Sequence, residues 1–309
     1  MRSPSWAAAA ASVAAATLMM AATPLLIRAT QSSEGRFEYS VPVLVASVEQ
    51  AKLGISLFAY AMLPCGKHSH RTLTTKEMLL YAAPGMLFCA NNQLQFSILS
   101  RLSSSTFQVL SNAKIAMTAL LLRLVLHRLL SASHYLSLVS LTAGAAFVQI
   151  GCEPLAPAGI EGALFTLVSC ALSSLGNVLN EAMLKKEQQI HSIWLANSLL
   201  YTWSSIFSAI AAVWDLSFRG FTPLVGALVV AQVVAGLSVS FVLRFSSNIG
   251  RSYAHVCATL LCLGVESAAR GEPLDLRVLV ATVVVGSSAA QYALLPPPAR
   301  PANSAQLIE

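Results

Sequence analysis

Long apolar runs separated by short polar stretches dominate the chain. Ten of them cover residues 6–27, 41–63, 77–99, 103–126, 134–150, 160–181, 193–216, 222–245, 249–268 and 274–295. Each is close to the roughly 20 residues a helix needs to cross the hydrocarbon core of a bilayer. In lipid a helix satisfies its own backbone hydrogen bonds. The pattern therefore predicts an all-α polytopic membrane protein of ten transmembrane helices. The first run, WAAAAASVAAATLMMAATPLLI, also has the look of a signal peptide. Its span-length apolar stretch and the lone Arg2 before it favour a retained helix.

Composition agrees: of 309 residues, 56% are hydrophobic and only 10% charged, too few charges to coat a soluble domain of this length. The formal net charge of +6 does not point to nucleic acid, because no basic patch carries interleaved aromatics. It follows the excess of Lys and Arg in cytoplasmic loops. With both termini in the cytosol, ten basic residues, Lys67, Arg71, Lys185 and Lys186 among them, fall on the cytosolic side against six opposite. The chain reads as a single membrane domain in two halves, about 1–150 and 159–298, with a tail at 299–309. A half with an odd number of helices inverts when repeated, so two inverted five-helix repeats are expected, with a site between them near the midplane.

Charge inside the membrane is costly, so each instance needs a reason. Lys114 has about 11 residues of its span on either side, roughly 16 Å. It faces either a partner carboxylate, Glu49 or Glu181, or a water-filled cavity with an anionic ligand; snorkelling is the third option. Arg251 opens the ninth span, where the helix dipole is unfavourable to a cation and a bound anion would relieve it. The alternative is an ordinary cytoplasmic arginine. Under the five-plus-five division the fourth and ninth spans are symmetry mates, so Lys114 and Arg251 could clamp a phosphate or diphosphate between them.

Asn91 and Asn92 project about 100° apart, so one can face a cavity and read a base edge while the other bonds a neighbouring helix; interhelical bonding by both is the other reading. Glu49 and Lys52 share a helix face at i,i+3 and can neutralise each other, a structural pair with a gating role open to it. Glu181 is expected to anchor the cytoplasmic end of the sixth span. Small residues in the fifth and eighth spans permit close packing, and Ser240, on the same helix side as Gly236, could line a cavity. His255 is expected to be packed or cavity-lining.

The six cysteines form no CxxC pair and read as small buried hydrophobes. There is no G-x-S-x-G, HExxH or Walker A motif, and no cofactor signature. Enzymatic function is not expected, and transport, if any, would be secondary.

Several segments resemble the nucleotide-sugar transporter family. STFQVLSNAKI followed by LHRLLS is similar to its Y-Q-V-x-x-x-L-K-I pattern and the basic residue before L-S. NNQLQF resembles its Asn-Asn stretch, NEAMLKK and SIWLAN its central segment, and GLSVSFVLRFSSNIGRSY its G-L-x-x-S…D-N-I-x-K segment. The resemblance covers about residues 41–298 and is strongest to the CMP-sialic acid and UDP-galactose branch. It implies ten helices of the drug/metabolite transporter type in the Golgi membrane, with the endoplasmic reticulum as second option. It implies exchange of a cytosolic CMP- or UDP-linked sugar for a lumenal nucleoside monophosphate, and leaves a homodimer open. By motif position Lys114 and Arg251 would hold the phosphates and Asn91 and Asn92 the pyrimidine, with Ser240 and Phe107 nearby. Against the family pattern, Ser247 stands for Asp, Arg251 for Lys, Phe107 for Tyr and Asn112 for Gln, while Ala182 and Ala196 replace polar residues of some members. A non-transporting binding or scaffold protein of the same fold is the alternative.

Overall fold

The computed structural model describes residues 6–32, 35–62, 74–125, 131–147, 157–187, 192–245 and 248–271, with scattered helical positions between 276 and 291. Most of the tenth predicted span, the 299–309 tail, Lys67, Arg71 and Ser247 lie outside the described residues.

Among the described residues eleven α-helices are complete enough to name: α1 (Trp6–Ala29), α2 (Val41–Met62), α3 (Thr75–Leu80), α4 (Ala82–Leu99), α5 (Ser104–Leu110), α6 (Ala113–Val125), α7 (Ala132–Phe147), α8 (Pro157–Glu187), α9 (Ile193–Ala212), α10 (Pro223–Phe245) and α11 (Asn248–Arg270). Among the described residues there is no strand, only an isolated bridge between Gln31 and Phe37. The fold is all-helical, as the hydrophobic pattern predicts. Among the described residues, four helical stretches are long and apolar enough to cross a membrane: Ala11–Ala29, Val41–Met62, Gly159–Leu184 and Pro223–Leu243.

Two predicted spans are not single helices. The third divides at Tyr81 into α3 and α4. Pro84 explains the division: it has no N–H for the carbonyl four residues back, and its ring crowds that carbonyl. The fourth divides at Ser111–Asn112 into α5 and α6, and the backbone tightens there to i,i−3 bonds, Lys114 N–H to Ser111 O at 3.2 Å and Ile115 N–H to Asn112 O at 2.9 Å. Ser and Asn compete with the helix for their own backbone. Such a break is tolerated at membrane depth only when it is covered by protein or lines a cavity.

α2 packs along α9, α1 along α10 and α11, and α4 between α8 and α9. Close approach is built into the sequence: a Cβ on Gly85 would come within 2.9 Å of Trp203 Cβ and 3.1 Å of Ser204 N, so α4 and α9 touch backbone to side chain. Outward positions such as Leu120, Leu124, Leu164, Val168, Ile206 and Val230 are exposed, a surface suited to lipid.

At one end of the bundle the loops are tied together. The Arg28 guanidinium and the Gln31 amide both donate to Leu99 O, at 3.1 and 2.9 Å, satisfying an orphan carbonyl at the end of α4. Ser40 donates to Asp215 O at 2.9 Å, and Arg101 pairs with Glu161 at 3.1 Å. The loops before α2, after α4 and after α9 and the first turns of α8 thus share one end. Here Tyr39 shares a 2.8 Å hydrogen bond with Thr30, and burial pushes its phenol up to about 12.

Candidate binding cavity

Between the helices lies a cavity with about 1210 Å³ of empty space, counting its open mouth. Residues of α1, α2, α4, α5, α6, α8, α9, α10 and α11 line it, so no single helix owns the site. The sequence-predicted residues Asn91, Asn92, Phe107, Lys114, Ser240 and Arg251 all line it, as do Glu49 and Lys52. Glu181 is buried in α8 and is not a lining residue.

The break between α5 and α6 places Lys114 in the wall. α8 covers the irregular backbone: Cys170 Sγ donates to Ser111 O at 3.6 Å and Ser174 Oγ to Lys114 O at 3.2 Å. A second irregularity supports the same wall. Pro24 in α1 cannot bond the Met20 carbonyl, and Gln108 of α5 does so instead, Nε2 to O at 2.8 Å. Ser104 in turn donates to Pro24 O at 3.1 Å.

Two charge groups face the cavity. In the first, Glu49 and Lys52 of α2 form a salt bridge at 2.5 Å, almost fully buried. Asn92 donates to the same Glu49 oxygen at 2.9 Å, and the Lys52 ammonium sits 4.8 Å over the Tyr201 ring. Tyr201 OH is 3.3 Å from Ser240 Oγ. Gly236 makes room for Lys52, since a Cβ there would lie 2.8 Å from Lys52 Cδ. This cluster joins α2, α4, α9 and α10 and is neutral as a whole.

The second group is cationic. Lys114 and Arg251 act on each other electrostatically, and both act on His255. Lys114 Nζ is 3.5 Å from His255 Nδ1. Among the described residues neither cation has a carboxylate partner within 4 Å. Glu49, one of the two carboxylates open as a partner for Lys114, is instead ion-paired with Lys52, with Asn92 on the same oxygen. Among the described residues, two positive charges are therefore left facing the cavity without a counter-ion.

Both readings of the amide pair coexist. Asn91 accepts from Ser169 of α8 at 2.7 Å and Asn92 donates to Glu49 of α2, so each bonds a neighbouring helix while lining the cavity. The sequence reading passed over the wall formed by α8. Ser169, Ser173, Asn177 and Asn180 all line the cavity, at spacings of four, four and three residues. That helical period of small polar residues in an apolar span was the available signal. Tyr201 and Gln108 carried no such signal; only their tertiary partners mark them.

Residues 7–288 match the family model described as nucleotide-sugar transporter. Similar proteins include CMP-sialic acid transporter 1 of Oryza sativa subsp. japonica, 27% identical over 77% of this chain and 80% of that one. The UDP-galactose translocator of Mus musculus is 30% identical over 68% of this chain and 57% of that one. The probable UDP-sugar transporter protein SLC35A4 of Xenopus tropicalis is 30% identical over 71% of each. A solved crystal structure shares the fold with a TM-score of 0.66 at 14% identity, covering 91% of this chain and 99% of that one.

Proposed function

Because this chain belongs to the nucleotide-sugar transporter family, we propose that it carries a pyrimidine nucleotide sugar, CMP- or UDP-linked, across the membrane in exchange for a nucleoside monophosphate. The observation that carries this reading is the pair of cations, Lys114 and Arg251, facing one cavity with no carboxylate partner among the described residues. A buried charge without compensation is costly, and a ligand bringing about two negative charges relieves both at once. A nucleoside monophosphate or a diphosphate-linked sugar has that charge. Lysine supplies a point charge and arginine a fork, both suited to phosphate oxygens.

The base would lie toward Asn91 and Asn92. Their bonds to Ser169 and Glu49 use one oxygen and one amino group. What remains, the Asn91 amino group and the Asn92 carbonyl, is a donor and an acceptor for a pyrimidine edge. Phe107 and Ser240 line the same cavity and are assigned contact roles. The Glu49–Lys52 pair holds α2 to its neighbours and is a candidate gate. Ten spans in two inverted repeats, a Golgi location and cytosolic termini complete the reading, supported by family membership and by the hydrophobic pattern.

In this mechanism the empty site resists inversion because two cations would move unscreened, and the bound phosphate neutralises them. Each half-cycle then requires a bound nucleotide, which is exchange. The test is thermal stabilisation of the purified protein by CMP, UMP, GMP and AMP, followed by exchange in liposomes. Stabilisation by CMP or UMP, lost in Lys114→Ala together with exchange, is expected. Near-normal exchange by Lys114→Ala would overturn the mechanism. A monodisperse protein that no nucleotide stabilises would instead fit a non-transporting member of the fold.

A further inference from the structure

We propose that His255 is a third phosphate-binding group of this cavity, a neutral hydrogen-bond donor that also holds Lys114 in place while the site is empty. The proposal rests on the cavity being an anion site.

The placement is helical. His255 follows Arg251 by four residues on α11, so the two side chains share a face. Both line the cavity, with Lys114 of α6 beside them. His255 is 5% exposed.

The chemistry of the contact fixes the ring. Lys114 Nζ lies 3.5 Å from His255 Nδ1. An ammonium carries three donors and no lone pair, so it can bond Nδ1 only if Nδ1 is unprotonated. The neutral imidazole then carries its proton on Nε2. That Nε2 is buried and makes no hydrogen bond of ordinary geometry among the described residues, although the Gln108 backbone carbonyl of α5 lies near enough to interact with the ring. Arg251 Nε is buried without a partner. A buried donor left unmade is costly, and so is rarely kept without use. Two such donors on one face of α11, beside an ammonium with protons to spare, call for an acceptor with several oxygens and no proton of its own. A phosphoryl group is that acceptor. At 3.5 Å the Lys114–His255 bond is at the long limit of a hydrogen bond, weak enough for the ammonium to turn to a ligand.

Charge shows why histidine suits the position. A third cation beside Lys114 and Arg251 would deepen the uncompensated charge of the empty site. A neutral imidazole adds a donor directed at the phosphate without adding to that cost.

The test compares nucleotides with nucleosides, which differ by the phosphate alone. Full-length wild-type protein, His255→Leu, His255→Gln and His255→Asn are titrated in detergent with CMP, UMP, cytidine, uridine, phosphate and pyrophosphate, and stabilisation gives relative affinity. Gln can place an amide N–H where Nε2 stood; Asn is too short to reach it. His255→Leu and His255→Asn are expected to bind CMP or UMP about tenfold more weakly, His255→Gln to recover most of the loss, and all to bind nucleosides as the wild type does. If His255→Leu does not fold, the Gln–Asn difference carries the test. Wild-type nucleotide affinity in His255→Leu, or equal losses for nucleotides and nucleosides, would overturn the proposal. Stabilisation of the wild type by phosphate or pyrophosphate but by no nucleotide, lost in His255→Leu, would uphold His255 as an anion ligand and refute the nucleotide reading instead. A wild type unmoved by all six compounds would refute both.

Discussion

Removing one member of the Glu49–Lys52 pair should cost far more than removing both. The ions are 2.5 Å apart, with side chains 7% and 1% exposed. At an effective dielectric of about 20, unit charges at that distance attract by about 7 kcal/mol before desolvation is counted. Desolvation offsets much of this, so the net worth of the pair is small, but an orphaned partner keeps its desolvation cost. Breaking a buried pair from one side typically costs about 3–5 kcal/mol. Glu49→Gln retains an oxygen for Lys52 and Asn92 and removes only the charge; about 3 kcal/mol of destabilisation is expected. Lys52→Met retains the stem over Tyr201 and should cost a similar amount. In the double variant both charges are gone, and the loss should fall below about 2 kcal/mol. The assay is denaturant unfolding in detergent followed by tryptophan emission, because Trp194 and Trp203 pack in the cluster around α9. A double-variant loss equal to the sum of the single losses within about 0.5 kcal/mol would mean that the two groups do not compensate each other, and would refute the reasoning.

Gly85→Val should destabilise by about 1–3 kcal/mol, because the new side chain meets Trp203 Cβ and the Ser204 backbone of α9, which cannot swing away; the unfolding midpoint checks it. Gln108→Leu should cost about 1–3 kcal/mol by stranding the Met20 carbonyl, and adding Pro24→Ala should recover part of that by restoring an N–H to it, a coupling read from the double variant. Tyr39 keeps its proton to higher pH in the fold than its ordinary value of 10.0, so its contribution is intact below pH 10 and is lost as pH rises toward about 12. Tyr39→Phe should flatten that part of the stability-against-pH curve. Lys114→Arg, which preserves charge but not shape, should retain measurable nucleotide stabilisation where Lys114→Ala retains none.

Among the described residues, helical structure followed the apolar runs because burial in lipid leaves the chain little choice of secondary structure. α1, α2, α8 and α10 begin and end within a few residues of the predicted runs, α8 running furthest past its run. The breaks were harder to read. Pro84 in the third span was a visible signal for the division at Tyr81. Nothing local distinguishes Ser111–Asn112 from other Ser and Asn residues inside these helices. Their break depends on α8 offering Cys170 and Ser174 to the irregular backbone, a tertiary fact. Lys114 was legible as a residue needing a reason, but its partner was not. Glu49 and Glu181 were both open as its partner, although the i,i+3 spacing already offered Glu49 to Lys52, and the structure keeps that pair.

That assignment is what gives the cavity its polarity. Four charged residues line it, and one glutamate serves one lysine, leaving Lys114 and Arg251 as the excess. Had Glu49 paired with Lys114, Lys52 would be the odd cation, on the α2–α9 side, remote in sequence from the polar face of α8. The i,i+3 spacing prevents this, since a helix holds Glu49 and Lys52 on one face whatever the rest of the bundle does. Gly236 then admits the Lys52 stem and Tyr201 takes its ammonium, so the pair stays closed. A local rule on one helix thus decides which end of a nine-helix cavity is open to an anion. The same logic makes Glu49→Gln a functional test as well as a stability test: with Lys52 uncompensated, a third cation faces the cavity, and nucleotide affinity should rise while the empty protein loses stability. Affinity unchanged or lowered in Glu49→Gln would show that the anion does not sense this charge, and would confine the pair to holding α2 against its neighbours.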